Sequence, residues 1–352
     1  MARADELRTL GSRVVANRSL RLVVQAVVTL AIIAALVVVA QQHDVLASLQ
    51  RIPPLTIVLG VVVLALGFVL NAYRWQLLLR NVGIEEPLHR LLSLYYIGLF
   101  FSLFLPTGAG GDAVRIYELT RRHGQTAPVV VATLQERLFN LGASLALGLA
   151  ATFYYLPQLP PSLQVWAVPL QVIAAVAIVA FLYPQPVLAL GRGVWRRGGG
   201  VQGTGLAHHP ILRRISAAVE SVVDLPLVRP KLLVQVLLSA LIPVSMGIGI
   251  YAMFGAALGV QANIAVYFLI VPLVWIIRLA PVSLGGLGVS EGSFVFLAGL
   301  FGIPTGSALA IAIGYLGITT IAGLFGGALL LLRTLRNRQN PTLDPPRAED
   351  QR

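Results

Sequence analysis

The sequence predicts an all-α polytopic membrane protein, with about six full spans and two re-entrant broken-helix hairpins arranged as inverted repeats. Three observations support this fold class. Of the 352 residues, 57% are hydrophobic and only 11% are charged, whereas a soluble domain carries about 25% charged residues. Several apolar runs reach the roughly 20 residues that a transmembrane helix needs. A proline- and glycine-containing motif also occurs twice, with similar apolar runs around each copy.

Six apolar runs are long enough to be full spans. They are 20–40, 54–79, 127–156, 161–190, 232–258 and 306–332. The first run is longer than a signal peptide requires and has no clear cleavage pattern after it, so we expect a retained helix. The transmembrane domain is therefore predicted over 20–335. It lies between a cytoplasmic N-terminal tail, 1–19, and a disordered cytoplasmic tail, 336–352.

Basic residues predict the orientation of the spans, because cytoplasmic loops are rich in Lys and Arg. Four arginines precede the first run and a fifth, Arg21, lies at its start, while the 191–231 loop holds six arginines and one lysine. Both termini and this loop are therefore expected in the cytoplasm, and the uncharged 157–161 connection outside. The net charge of +12 is then explained by orientation and by anionic lipid headgroups, so no nucleic-acid partner is expected.

The segment 91–106 is too short for a full crossing. It lies between basic residues that are expected on the same side, Arg80 and Arg90 before it and Arg115 after it. We therefore expect the chain to enter the membrane and return, turning at Pro106, Gly110 and Gly111. The alternative is that 91–106 spans the membrane and the charge rule fails locally.

The same turn motif recurs 175 residues later. Pro106-x-x-x-Gly110-Gly111-x-x-Val114 matches Pro281-x-x-x-Gly285-Gly286-x-x-Val289, and Gly288 adds to the second glycine turn. This predicts repeat one at about 54–156 and repeat two at about 229–332, inverted because one span lies between them. Inverted repeats with broken helices are typical of secondary transporters. The alternative is that the glycines only let helices pack closely.

Ionisable residues inside apolar segments are costly and are usually functional. Arg115, Arg137 and Arg278 are predicted to hold a phosphate, which guanidinium groups bind in a bidentate manner. Glu136 and Glu291 would orient these arginines or contact a cationic headgroup. The candidate substrate-binding residues are Asp112, Arg115, Glu136, Arg137, Asn140, Arg278 and Glu291.

Two other interpretations of these charges stay open. The pairs Glu136–Arg137 and Arg278–Glu291 could be structural ion pairs that fix the broken helices. Arg74, at the end of an apolar run, is expected only to extend toward the membrane surface.

The sequence contains no recognisable catalytic or cofactor-binding motif. Cysteine is absent and the five histidines have no metal-ligand spacing. No nucleotide-binding loop or Ser-His-Asp set is present either. We therefore expect no cofactor, no metal and no enzymatic activity. The opposing interpretation, an enzyme that acts on lipid-linked sugars, needs a carboxylate without an arginine partner, for which Asp112 is the candidate.

Four motifs in this order carry a family resemblance. They are Arg74-Trp75-Gln-Leu-Leu, the segment from Pro106 to Arg115, Glu136-Arg137, and the segment from Pro281 to Glu291. Together they resemble the lysylphosphatidylglycerol synthase transmembrane region, or flippase-like domain family, over about 15–335. The resemblance implies a multi-pass protein of the bacterial inner membrane.

The resemblance also implies a function. It suggests movement of an anionic or aminoacylated phospholipid, or of a polyprenyl-phosphate-linked glycolipid. The sequence ends at Arg352 without the aminoacyltransferase domain of the bifunctional members, so tRNA-dependent lysyl transfer is not expected. A membrane enzyme, or an accessory subunit of glycosyltransferases, remains the alternative. A homodimer and a glycosyltransferase partner are both left open.

Overall fold

A computed structural model describes residues 24–105, 110–158, 230–278 and 282–339, with single positions 164 and 169. Within these residues the chain is helical and contains no strand. Five helices are long and apolar enough to cross a membrane, and three shorter apolar helices accompany them. The predicted all-α polytopic class is therefore confirmed. The predicted span 161–190, the 191–231 loop, Pro106 and Pro281 lie outside the described residues.

Ten α-helices occur in the described residues and are numbered here in chain order. They are α1 Val24–Gln42, α2 Val45–Gln50, α3 Pro54–Asn81, α4 Leu88–Phe104, α5 Gly110–His123, α6 Thr126–Tyr155, α7 Pro230–Ala257, α8 Ile264–Arg278, α9 Val289–Gly299 and α10 Thr305–Gln339. The last helix extends beyond the predicted span 306–332, into the segment that was expected to be disordered.

Local sequence explains where several helices begin and end. Pro54 opens α3, where its missing N–H and fixed φ suit a first turn. Gly83, with a φ of 83°, follows the end of α3. The amphipathic helix α5 has Asp112 in its first turn and three basic residues, Arg121, Arg122 and His123, in its last. Both ends of α5 thus complement the helix dipole.

Helices α4 and α5 form a hairpin whose two ends meet. Glu86 lies just before α4, and its carboxylate is 2.9 Å from Nε of Arg122 and 2.8 Å from Nε2 of His123, at the end of α5. Helix α4 has 17 residues and so is about 25 Å long, less than the roughly 30 Å of a bilayer core. The chain therefore returns to the end of the bundle from which it entered, as predicted.

A second hairpin is formed by α8 and α9, which pack on each other. The loop before α8 (258–262) and the loop after α9 (301–304) line one shallow depression, so this hairpin also closes at its base. Its turn needs glycine, since Gly285, Gly286 and Gly288 have φ values of 61°, 79° and 77°. L-residues with a side chain rarely adopt these angles.

The helices of the two repeats correspond in order and in packing. At the 175-residue offset, α3, α4, α5 and α6 match α7, α8, α9 and α10. Helix α4 packs on α10, and its counterpart α8 packs on α6. Helix α3 packs on its own counterpart, α7. The contacts are therefore preserved when the two units are exchanged.

Helices α3 and α7 run antiparallel along their shared interface. As the chain advances along α3, it faces earlier and earlier positions of α7. Gly60 faces Met253, Gly67 faces Pro243, and Arg74 bonds to Ser239. The loops that follow α3 and α7, where the two hairpins begin, are consequently at opposite ends of the bundle. The two hairpins enter from opposite ends.

Helix α1 lies outside this repeat and covers the second turn. The Oγ1 of Thr29 accepts a hydrogen bond of 2.8 Å from the backbone N–H of Leu284. Gly288 lies against Ile32, so closely that a Cβ there would collide with it.

Candidate functional site

Glu136 is the centre of a buried group of charges on α3, α5 and α6. Only 2% of its side chain is exposed. Its Oε1 is 2.9 Å from Nη2 of Arg74, and its Oε2 is 3.2 Å from Nη2 of Arg115. The side-chain amide of Asn140 also donates to Oε1, at 3.2 Å. Each carboxylate oxygen thus has a cationic partner, as a charge buried at this depth requires.

The guanidinium of Arg74 is fixed on three sides and has no exposed surface. Besides Glu136, it donates to the side-chain oxygen of Asn71 and to the carbonyl of Ser239 on α7, both at 2.8 Å. The expectation that Arg74 extends to the membrane surface is wrong. A guanidinium at this helix end can be buried because its Nη1 and Nη2 atoms bond to a carboxylate and a carbonyl of neighbouring helices and to the side chain of Asn71.

Arg115 is held between two aromatic rings. Its guanidinium carbon lies 4.1 Å from the ring centre of Tyr95 and 4.8 Å from that of Trp75. Both rings offer their electron-rich faces to the cation. Trp75 is itself fixed by a 3.2 Å hydrogen bond to Thr133. Arg115 therefore keeps its position through contacts with α3 and α4 as well as with carboxylates.

Asp112 connects the buried charged side chains to a more exposed one, that of Arg137. One of its oxygens contacts Nη2 of Arg115, and the other contacts Nε of Arg137. The side chain of Arg137 is 41% exposed. The group thus has three guanidinium groups and two carboxylates, which leaves one net positive charge and one exposed guanidinium at its edge.

The adjacent residues Glu136 and Arg137 do not form the ion pair that their positions suggest. Neighbours in a helix point in different directions, and Glu136 faces Arg74 and Arg115 while Arg137 faces Asp112. The predicted candidates Asp112, Arg115, Glu136, Arg137 and Asn140 are nonetheless brought together in one group.

The second repeat lacks these charges. At the 175-residue offset, Arg74, Asp112, Arg115, Glu136 and Arg137 correspond to Gly249, Leu287, Ser290, Ile311 and Ala312. Nearby, Tyr251 stacks on Tyr315 with ring centres 4.4 Å apart, and Phe294 is 4.9 Å from Tyr251. At these five positions the first unit therefore has ionisable residues and the second unit has small or aliphatic ones.

Arg278 and Glu291 lie at the second turn, apart from the charges around Glu136. Nη2 of Arg278 donates to the carbonyl of Gly285 at 3.1 Å. Glu291 accepts the backbone N–H of Gly288 at 2.7 Å and so caps the start of α9. Among the described residues, neither forms a hydrogen bond with the Glu136 group. The predicted three-arginine site is thus divided between Arg115 and Arg137 at one place and Arg278 at another.

The two turns approach each other at the end of α4. Ser102 accepts a 3.1 Å hydrogen bond from the backbone N–H of Gly111 through its hydroxyl. Its carbonyl oxygen faces Gly285 of the second turn, 3.1 Å from where a Cβ would lie. Gly111 also packs directly on the carbonyl of Gly98, where no side chain would fit. Gly110 and Gly111 are helical, so close packing rather than an unusual φ explains these two glycines.

Sequence reasoning missed three residues that complete the site. Trp75 was noted only as part of a motif, and Tyr95 and Ser102 were not considered. One signal was available for Trp75, since it follows Arg74 at the polar end of an otherwise apolar helix. The roles of Tyr95 and Ser102 depend on how α4 packs, which spacing along the chain does not give.

The arrangement suits electrostatic binding of an oxyanion. Guanidinium groups can pair with carboxylates and phosphates through two parallel N–H bonds. Here Arg115 contacts Asp112 and Glu136 through Nη2, and Arg137 contacts Asp112 through Nε. In the part of the chain that the structure describes, no group of three or more His, Asp or Glu side chains could hold a metal ion.

Comparison with known protein families agrees with the fold. The family model described as the lysylphosphatidylglycerol synthase TM region matches residues 26–327. No curated protein matches the chain. The matched region contains both hairpins, both turns and every charged residue of the site. The chain therefore belongs to the lysylphosphatidylglycerol synthase transmembrane region family.

Proposed function

We propose that the protein moves a lipid with a phosphate-containing headgroup between the two leaflets of the bacterial inner membrane. The phosphate is held by Arg115 and Arg137, and Arg278 provides a further guanidinium at the second turn. Movement follows from a change in how the two hairpins open toward the opposite ends of the bundle. Inverted repeats are a common basis for such alternating access.

The observation that carries this proposal is the difference in charge between the repeats. The second unit packs its helices in the same way, but its corresponding positions carry none of the five charges, those of Arg74, Asp112, Arg115, Glu136 and Arg137. The charges of the first unit are therefore not needed for this type of helix packing. Buried charges are destabilising unless they are paired, so their presence in one unit favours a role in binding.

The family supports a phospholipid as the substrate class. Its name refers to lysylphosphatidylglycerol, and the phosphate of an anionic or aminoacylated phospholipid fits a site with one net positive charge. A polyprenyl-phosphate-linked glycolipid has the same phosphate chemistry and is the second candidate. The Glu136 carboxylate positions the arginines in either case.

The enzymatic alternative has less support. It requires a carboxylate without an arginine partner, and Asp112 has two such partners. We therefore propose transport without covalent chemistry by this chain. An accessory role beside glycosyltransferases would leave the purified protein unable to move lipid by itself.

A proteoliposome assay tests the proposal. Purified protein is reconstituted with fluorescent phosphatidylglycerol or a fluorescent polyprenyl phosphate, and dithionite bleaches the outer-leaflet lipid. Fluorescence loss beyond that of protein-free liposomes reports movement of lipid from the inner leaflet. We expect wild-type protein to move at least one of them and R137Q to move it at least tenfold more slowly. The matched control is R333Q, since Arg333 pairs only with Glu118 among the described residues, at 2.9 Å.

Two results would overturn the proposal. The first is that the wild-type protein moves neither lipid, which would favour the accessory role. The second is that R137Q and R333Q move lipid at the wild-type rate.

A further inference from the structure

Asp112 occupies the place in the site where an oxyanion is best stabilised. Its two oxygens contact two different guanidinium groups, Arg115 on its own helix and Arg137 on α6. It also lies in the first turn of α5, where the helix dipole favours negative charge. A phosphate that bridged the same two arginines would use the same donors.

The rest of the site does not depend on Asp112. Arg115 is held by the rings of Tyr95 and Trp75 and by Glu136, 3.2 Å away. Glu136 is in turn held by Arg74. Nη1 of Arg115 is buried and has no hydrogen-bond partner among the described residues, so this guanidinium can accept a larger oxyanion than one carboxylate.

Asp112 is also the member of the group that can leave most easily. Its side chain is 16% exposed, compared with 2% for Glu136. Its partner Arg137 is the most exposed of the three guanidinium groups. The contact between Asp112 and Arg137 is thus at the open edge of the site, where a headgroup would arrive.

We propose that Asp112 is an internal competitor for the lipid phosphate, exchanging with it on Arg115 and Arg137. This inference rests on the proposed function. A phosphodiester carries one negative charge, as Asp112 does, so the exchange keeps the charge around the two arginines constant. The competition weakens binding and lets the phosphate leave again, which a carrier needs.

The test compares binding of fluorescent phosphatidylglycerol to wild-type, D112N and D112E proteins in detergent micelles. D112N keeps the shape of the side chain but removes its charge, and we expect it to bind the lipid at least fivefold more tightly. D112E keeps a competing carboxylate and should stay within twofold of wild type. The increase should shrink at high salt, because it is electrostatic.

A matched control separates competition from overall charge. Glu118 is on the same helix and pairs with Arg333 at the surface, so E118Q removes one negative charge without touching Arg115 or Arg137. We expect E118Q to bind like wild type. A second neutral variant, D112S, should reproduce the tighter binding, so that a folding defect in D112N does not decide the result.

Failure of this inference can be told from failure of the proposed function. One outcome is that R115Q and R137Q bind the lipid more weakly than wild type, whereas D112N and D112S bind it no more tightly. The internal competitor is then overturned and the phosphate site stands. If R115Q and R137Q bind like wild type, the phosphate site itself is overturned. An equal increase in E118Q would also contradict competition by Asp112.

Discussion

Arg74 and Glu136 are 62 residues apart in the chain, yet Nη2 of Arg74 is 2.9 Å from Oε1 of Glu136. Both side chains are buried, and the pair joins α3 to α6 inside the first repeat. Arg74 also reaches the Ser239 carbonyl on α7. One guanidinium therefore connects the charged group to the interface between the repeats.

Because this pair is buried, we expect R74M to lower the stability of the folded protein strongly. Removing one partner leaves Glu136 with less compensation for its buried charge, a change that costs about 3–5 kcal/mol in typical proteins. The fraction of protein that stays monodisperse in detergent after heating measures the effect. R333Q breaks an exposed pair, which is worth about 0–1 kcal/mol, and should hardly change it. If R74M and R333Q kept the same monodisperse fraction after heating, the buried pair would not be stabilising.

We expect a side chain added at Gly111 to disturb the packing of the first hairpin. A Cβ at this position would collide with the carbonyl oxygen of Gly98 and with Ser102, so G111A must push α5 away from α4. Overpacking of this kind costs about 1–3 kcal/mol. We expect lower thermal stability and slower lipid movement. G292A is the control, because its added methyl group meets open space in α9; similar losses in both variants would argue against close packing at Gly111.

Glu86 predicts that the base of the first hairpin can be loosened by removing one charge. Its carboxylate holds Arg122 and His123, so E86Q should expose the end of α5. Limited trypsin digestion should then cut after Arg121 or Arg122 faster than in wild type. The neighbouring Glu85 is exposed, and E85Q should be cut at the wild-type rate. No difference between the two variants would mean that Glu86 does not hold the hairpin closed.

The hairpin geometry predicts a labelling pattern. The chain has no native cysteine, so single cysteines can be introduced at exposed positions. Arg80, Arg121 and Arg336 belong to one end of the bundle, and Leu46 and Leu300 belong to the other. An impermeant maleimide added to intact cells should label one set and spare the other, with the arginine set expected inside. Labelling of position 121 together with 300, and not with 80, would contradict the hairpin.

The sequence predicted the fold well because hydrophobicity and the recurring turn are properties of single positions. Helices α3 and α7 begin at 54 and 230, within two residues of the predicted span starts at 54 and 232. The turn at Gly285, Gly286 and Gly288 was located from the recurring proline and glycine motif, and glycine accepts its φ values readily. Spans, turns and repeat boundaries thus follow from local composition.

The partners within the site were harder to predict, because they depend on how helices rotate against each other. Arg137 is adjacent to Glu136 in sequence, but the buried partners of Glu136 are Arg74 and Arg115. Glu86 was overlooked, although an acidic pair before α4 and a basic run at the end of α5 have complementary charges. That complementarity was the available signal for the closed hairpin.

The antiparallel interface of α3 and α7 bears on the side of the membrane to which the binding site opens. Exchanging the two units reproduces the helix packing. The helices of the two units are therefore arranged alike with respect to the two faces of the membrane. The Glu136 group (Arg74, Asp112, Arg115, Glu136 and Arg137) belongs to the first unit only, so it makes the two faces of the protein chemically different. We expect a chain that carried arginine at 249, 290 and 312, aspartate at 287 and glutamate at 311, in exchange for the five charges of the first unit, to present its binding site to the opposite leaflet.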